Sequence, residues 1–91
     1  MTDVLHGEAE IRNAKGLHAR AAAKFCKTVE RFDAEVRVSR NGTEVAGTSI
    51  MGLMMLAAGR GSTIEISASG ADAAAVFEAL MLLITNKFDE D

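Results

Sequence analysis

Tryptophan and tyrosine are absent from the 91-residue sequence, and four phenylalanines are its whole aromatic content. Rings that could stack on bases are scarce, and a formal net charge of −3 repels a long polyanion, so nucleic acid is not the expected ligand. Cysteine occurs once, as Cys26. No internal disulfide can form, no cysteine cluster can hold zinc, and a reducing compartment is implied. Long apolar runs are lacking too: no run without glycine is longer than Ala79 to Ile84, which is far too short to cross a bilayer. The N-terminus has no basic stretch followed by an apolar one. The expectation is a cytoplasmic protein with no membrane insertion. Carboxylate pairs, metal-ligand clusters and triad spacings are missing as well, which makes a small catalytic domain the weakest of the function classes and leaves no metal or bound cofactor to expect.

What is present suits a folded domain. An apolar content of 48% beside 25% charged residues separates the chain from disordered sequences, and its length fits one domain over residues 1–91. Charge is unevenly distributed. Residues 12–40 hold eight of the ten cations but only Glu30, Asp33 and Glu35 among the thirteen carboxylates. A basic segment on an acidic body favours a phosphate or an acidic protein surface as ligand.

Ala9 and Ile11 alternate with Glu8 and Glu10, predicting a half-buried strand over about Val4 to Arg12, closed by the turn Asn13-Ala14-Lys15-Gly16. Ala22, Phe25, Cys26, Val29 and Phe32 then recur at helical spacing from Ala19, and the helix should end near Arg31. Val36 and Val38 begin a hairpin whose Asn41-Gly42 turn tolerates positive φ, with Arg40 opposite Thr43 and Val38 opposite Val45. A short helix is expected over Ile50 to Ala58, halted by Gly59-Arg60-Gly61. Ile64, Ile66 and Ala68 mark a fourth strand. Ser69 and Asp72 stand at capping-box spacing before a last helix striped by Ala73, Val76, Phe77, Leu80, Leu83 and Ile84. The order β-α-β-β-α-β-α, with strands apolar on one face, predicts an α+β open-faced sandwich: a four-stranded antiparallel sheet with three helices on one face.

His18 and Arg20 stand at the mouth of the first helix. A lone histidine is commonly a partly buried or surface residue without chemistry, and that is the expectation for His6 in the first strand. If Ala19 opens the helix, however, His18 lies among backbone N–H groups that lack intrahelical acceptors, at the positive end of the macrodipole. A neutral imidazole is a nucleophile, a phosphoryl group placed there meets donors, and Arg20 brings a permanent cation suited to phosphate oxygens.

The stretch Asn13-x-x-Gly16-Leu17-His18-Ala19-Arg20, with Gly47-x-Ser49-Ile50-Met51-Gly52 and the order of elements, resembles the HPr family of histidine-containing phosphocarriers. The likeness covers essentially the whole chain. It implies that His18 takes a phosphoryl group on Nδ1 from phosphorylated enzyme I of the phosphoenolpyruvate-dependent phosphotransferase system and passes it to a histidine of an enzyme IIA protein. Arg20 would counter the phosphoryl charge. The family usually follows that arginine with proline, where this chain has Ala21, and the departure implies a looser site with function retained.

Ser49 fits the N-cap of the short helix. The resemblance adds a second role, phosphorylation by HPr kinase/phosphorylase, which would set about two negative charges beside a docking surface. Leu53, Leu56 and Ala57 form an inward stripe, leaving Ile50, Met51 and Met54 either to widen the core or to form an adaptable patch shared by several partners. With Leu17, Lys24 and Lys27 around it, the patch is the expected partner-binding surface, Arg20 and the lysines forming its rim. A carrier of this kind is a substrate of enzymes more than an enzyme. A regulatory, nitrogen-branch interaction module switched by phosphorylation is the alternative.

Overall fold

The computed structural model describes residues 4–90, so residues 1–3 and 91 of the expected domain lie outside it. Strand alternation sorts side chains onto two faces. The strands β1 (Val4–Glu10), β2 (Glu35–Arg40), β3 (Thr43–Ala46) and β4 (Thr63–Ser69) pair antiparallel in the order β1-β4-β2-β3. Ala9, Val36, Val38, Ile64, Ile66 and Ala68 are buried on the inner face, while His6, Glu8, Glu44 and Glu65 are exposed. The helices α1 (Ala19–Glu30), α2 (Ile50–Met55) and α3 (Ala73–Thr85) intervene in the order anticipated.

Packing of the helices onto the sheet follows from their apolar stripes. Ala21, Ala22, Phe25, Cys26 and Val29 are the buried residues of α1, and Ala73, Val76, Leu80 and Ile84 those of α3. Fully burying a side chain the size of Phe25 contributes roughly 1.5–3 kcal/mol. Gly7 lets α3 lie close to β1: a Cβ there would run into the Phe77 ring. Cys26 is a small core residue, as its position suggested. Burial first, and then the charge of Glu30, push its thiol pKa up.

The Asn41-Gly42 turn has φ of 52° and 84°, and β2 pairs with β3 in the expected register, Arg40 with Thr43 and Val38 with Val45. Three expectations are corrected. β1 pairs only through Glu10, although Ile11 N–H still donates to Ser62 O at 2.8 Å, so Arg12 lies beyond the ladder. α2 ends at Met55 rather than Ala58 because Ala57 turns to φ 53°. Ala57 is thereby exposed and Ala58 takes the buried place. The Ser69–Asp72 capping box does not form: α3 starts after Asp72, whose carboxylate makes no cap bond and accepts Asp33 N–H at 2.7 Å instead.

Beyond α3 the chain turns back. Lys87, Phe88 and Asp89 have φ of 57°, 55° and 62°, a left-handed turn built without glycine. Such conformations cost of order 1–3 kcal/mol per residue. Complete burial of Phe88 offsets part of that cost, and the turn brings Glu90 back towards the start of α1.

Candidate functional site

The loop before α1 positions the histidine. Gly16 has φ +67°, and a Cβ on it would sit 2.6 Å from Ala58 O and 2.7 Å from Gly59 Cα, so only glycine lets the loop touch the segment after α2. Leu17 N–H then donates to Ala58 O at 2.9 Å. Leu17, expected on the partner surface, is 5% exposed: its side chain is a core anchor for the loop, and the docking role is withdrawn.

His18 is the N-cap of α1, in extended conformation with ψ −179°, and its carbonyl accepts the first helical bond from Ala22 N–H at 2.8 Å. Ala21 is fully buried, and its own N–H precedes that first bond. The ring is partly exposed, with 26% of its side chain open to solvent. Nδ1 accepts Arg20 backbone N–H at 3.3 Å, a long bond that holds the lone pair lightly. Nε2 lies 2.6 Å from Glu90 Oε2. An acceptor at Nδ1 and a carboxylate at Nε2 are both satisfied by one neutral tautomer, with the proton on Nε2.

Glu90 and Asn13 were not picked out as site residues. Asn13 is completely buried and its Nδ2 donates to Gly16 O at 2.7 Å and to Glu90 Oε1 at 3.1 Å. Its Oδ1 has no partner among the described residues. Burial by itself raises the Glu90 carboxyl pKa. The bonds from Asn13 and His18 and the nearby charges of His18 and Lys24 outweigh it and hold the value below the ordinary one. The sequence signal for Asn13 was present in the turn before the helix; Glu90 carried none, being distant in sequence and beyond the last apolar stripe.

Arg20 is exposed in the first turn of α1, and among the described residues its guanidinium makes no hydrogen bond or ion pair. Lys24, expected at a free rim, is half-buried and donates through Nζ to Phe88 O at 2.7 Å. Lys15, Arg20, Lys24, Asp89 and Glu90 line a shallow cleft of about 420 Å³. Lys27 is exposed one turn further on.

Ser49 caps α2, its Oγ accepting Gly52 N–H at 2.9 Å. Leu53 and Leu56 point inward, while Ile50, Met51, Met54 and Met55 are 41%, 70%, 39% and 74% exposed. These four side chains therefore do not widen the core; they lie together at the surface of α2. α2 packs on α1. His6, on the outer sheet face, is remote from this group, and no trio of His, Cys, Asp or Glu among the described residues fits a metal ion.

A family model described as the PTS HPr component phosphorylation site matches residues 5–86. The chain belongs to the HPr family. A phosphocarrier protein HPr of Neisseria meningitidis is 49% identical over 87 residues, covering 96% of this chain and 98% of that one. A phosphocarrier protein NPr of Shewanella violacea is 40% identical, with 94% of each chain covered. Among solved structures, HPr of Thermoanaerobacter tengcongensis superposes with TM-score 0.91 at 38% identity, over 96% of this chain and 98% of that one. The open-faced sandwich is therefore the HPr fold, and phosphocarrier chemistry is the family's trade. No helix among the described residues is long and apolar enough to cross a membrane.

Proposed function

We propose that this chain accepts a phosphoryl group from phosphorylated enzyme I on Nδ1 of His18 and passes it to a histidine of an enzyme IIA protein. The observation that carries the reading is the state of the imidazole: partly exposed, at the positive end of α1, its Nδ1 lone pair only lightly held at 3.3 Å. A phosphoryl group on Nδ1 displaces that weak cap bond, and Arg20 N–H turns its donor to a phosphate oxygen. The Arg20 guanidinium, already in the first turn, supplies charge. The dipole and an exposed cation give modest stabilisation, about 0.3–1 kcal/mol for the dipole at an exposed site, which suits a carrier that must release its cargo.

Ile50, Met51, Met54 and Met55 form the surface on which partners dock, with Arg20 and Lys27 at its rim steering acidic partners. Ser49 serves as cap and, where HPr kinase/phosphorylase is present, as a regulatory site whose phosphate repels acidic partners from the patch. The protein acts in the cytoplasm as a single domain, as an intermediate in a chain of transfers and not as a stand-alone catalyst.

The likeness to a protein named NPr favours a second reading, a nitrogen-branch regulatory module whose phosphorylation state controls partners. Both readings share the first step. Incubation with enzyme I, magnesium and phosphoenolpyruvate attaches one acid-labile phosphate to the wild type and none to His18→Ala; equal labelling of both refutes the assignment. The acceptor that then drains the label separates sugar uptake from regulation.

A further inference from the structure

The tail beyond α3 does more than close the core. Phe88 is fully buried and its carbonyl is held by Lys24, so the tail is fastened before it reaches Glu90. The Glu90 carboxylate then engages two polar partners, Asn13 through Oε1 and His18 through Oε2. Asn13 in turn is fixed by Gly16 O in the loop that carries the histidine.

We propose that Glu90 is a positioning residue for phosphoryl transfer, holding a proton on His18 Nε2 through the whole cycle so that the ring attacks from Nδ1 and leaves as neutral imidazole. The inference rests on the carrier reading above. In the accepting step the Nδ1 lone pair forms the N–P bond, and the donor's bond to phosphorus breaks with its electron pair returning to the donor. No proton is lost, so the ring becomes a cation with Nε2–H still facing the Glu90 carboxylate. In the donating step the N–P bond breaks, its pair returns to Nδ1, and the neutral ring is restored with the same proton. The carboxylate thus stabilises the charged ring that makes a good leaving group.

Glutamine cannot replace it. If the amide oxygen introduced by Glu90→Gln faced Nε2–H, the amide NH2 would oppose the Asn13 NH2; if reversed, the NH2 would face Nε2 and force the proton to Nδ1. The test uses the full chain with Glu90→Gln and Glu90→Asp. Long-range ¹H–¹⁵N spectra of the unphosphorylated protein, with the ring neutral, should show Nε2–H in the wild type and a gain of Nδ1–H in Glu90→Gln. After phosphorylation, loss of phosphate against pH reads the proton on the charged ring, with Lys15, Arg20, Lys24 and Asp89 as the other charges around it. The fall in rate with rising pH should occur about one pH unit lower in Glu90→Gln, roughly a tenfold slower loss on the alkaline side, with Glu90→Asp nearer the wild type. Identical tautomers and identical profiles overturn this inference alone. Absence of phosphate on wild-type His18 overturns the carrier reading and this inference with it.

Discussion

Nε2 of His18 and Oε2 of Glu90 meet at 2.6 Å across 72 residues of sequence, tying the mouth of α1 to the tail beyond α3. The histidine is held at both nitrogens, lightly at Nδ1 and firmly at Nε2, which gives the ring a direction.

The same contact gives the fold an acid sensitivity. The carboxyl of Glu90 lies below its ordinary pKa of 4.5 in the folded state, so its contribution to stability is present above that value and is lost as pH falls through the lower, folded one. Denaturant unfolding of the wild type and Glu90→Ala should show a gap in midpoint that closes on acidification below pH 4.5. A gap that widens there contradicts the assignment.

Ser49 separates two roles by substitution. Ser49→Ala removes the cap bond to Gly52 N–H and should cost about 1 kcal/mol in unfolding free energy. Ser49→Asp keeps an acceptor at the cap, so stability should stay near that of wild type while transfer with acidic partners weakens. Loss of stability in Ser49→Asp equal to that in Ser49→Ala would show that the cap geometry had been misread.

Met51 and Met55 are the most exposed large apolar side chains of α2. Met51→Glu and Met55→Glu should leave unfolding within about 0.5 kcal/mol of wild type. In phosphotransfer from enzyme I each should raise KM roughly tenfold, equivalent to about 1.4 kcal/mol of docking energy, with little change in kcat. A fall in kcat at constant KM would place the methionines outside the docking surface.

Gly16→Ala tests the loop. A Cβ at φ +67° meets the backbone at Ala58 and Gly59, which cannot yield as a side chain would. Unfolding free energy should fall by about 1–3 kcal/mol and phosphorylation of His18 should slow. A variant as stable and as readily phosphorylated as wild type would remove the loop from the account.

Much of this was legible in the sequence, for local reasons. Strand alternation, the stripes of α1 and α3 and the Asn41-Gly42 turn depend on neighbours within a few residues, so pattern alone located them. His18 stood out because the start of α1 could be read beside it. What pattern missed was decided by contacts between distant segments. α2 ends early because the chain after it is drawn to the loop at Gly16 and Leu17, and Leu17 is buried by that same contact. Asp72 answers Asp33 instead of capping α3. The tail reads as polar and unpatterned, yet Phe88 is a core residue and Glu90 a partner of the histidine, through a left-handed turn that no propensity favours.

The attachment point of the phosphoryl group is the most direct test. Phosphorylated protein labelled with ¹⁵N, read by ³¹P–¹⁵N coupling, should place the phosphorus on Nδ1 of His18. Coupling to Nε2 instead, or phosphate on any other residue, contradicts the account.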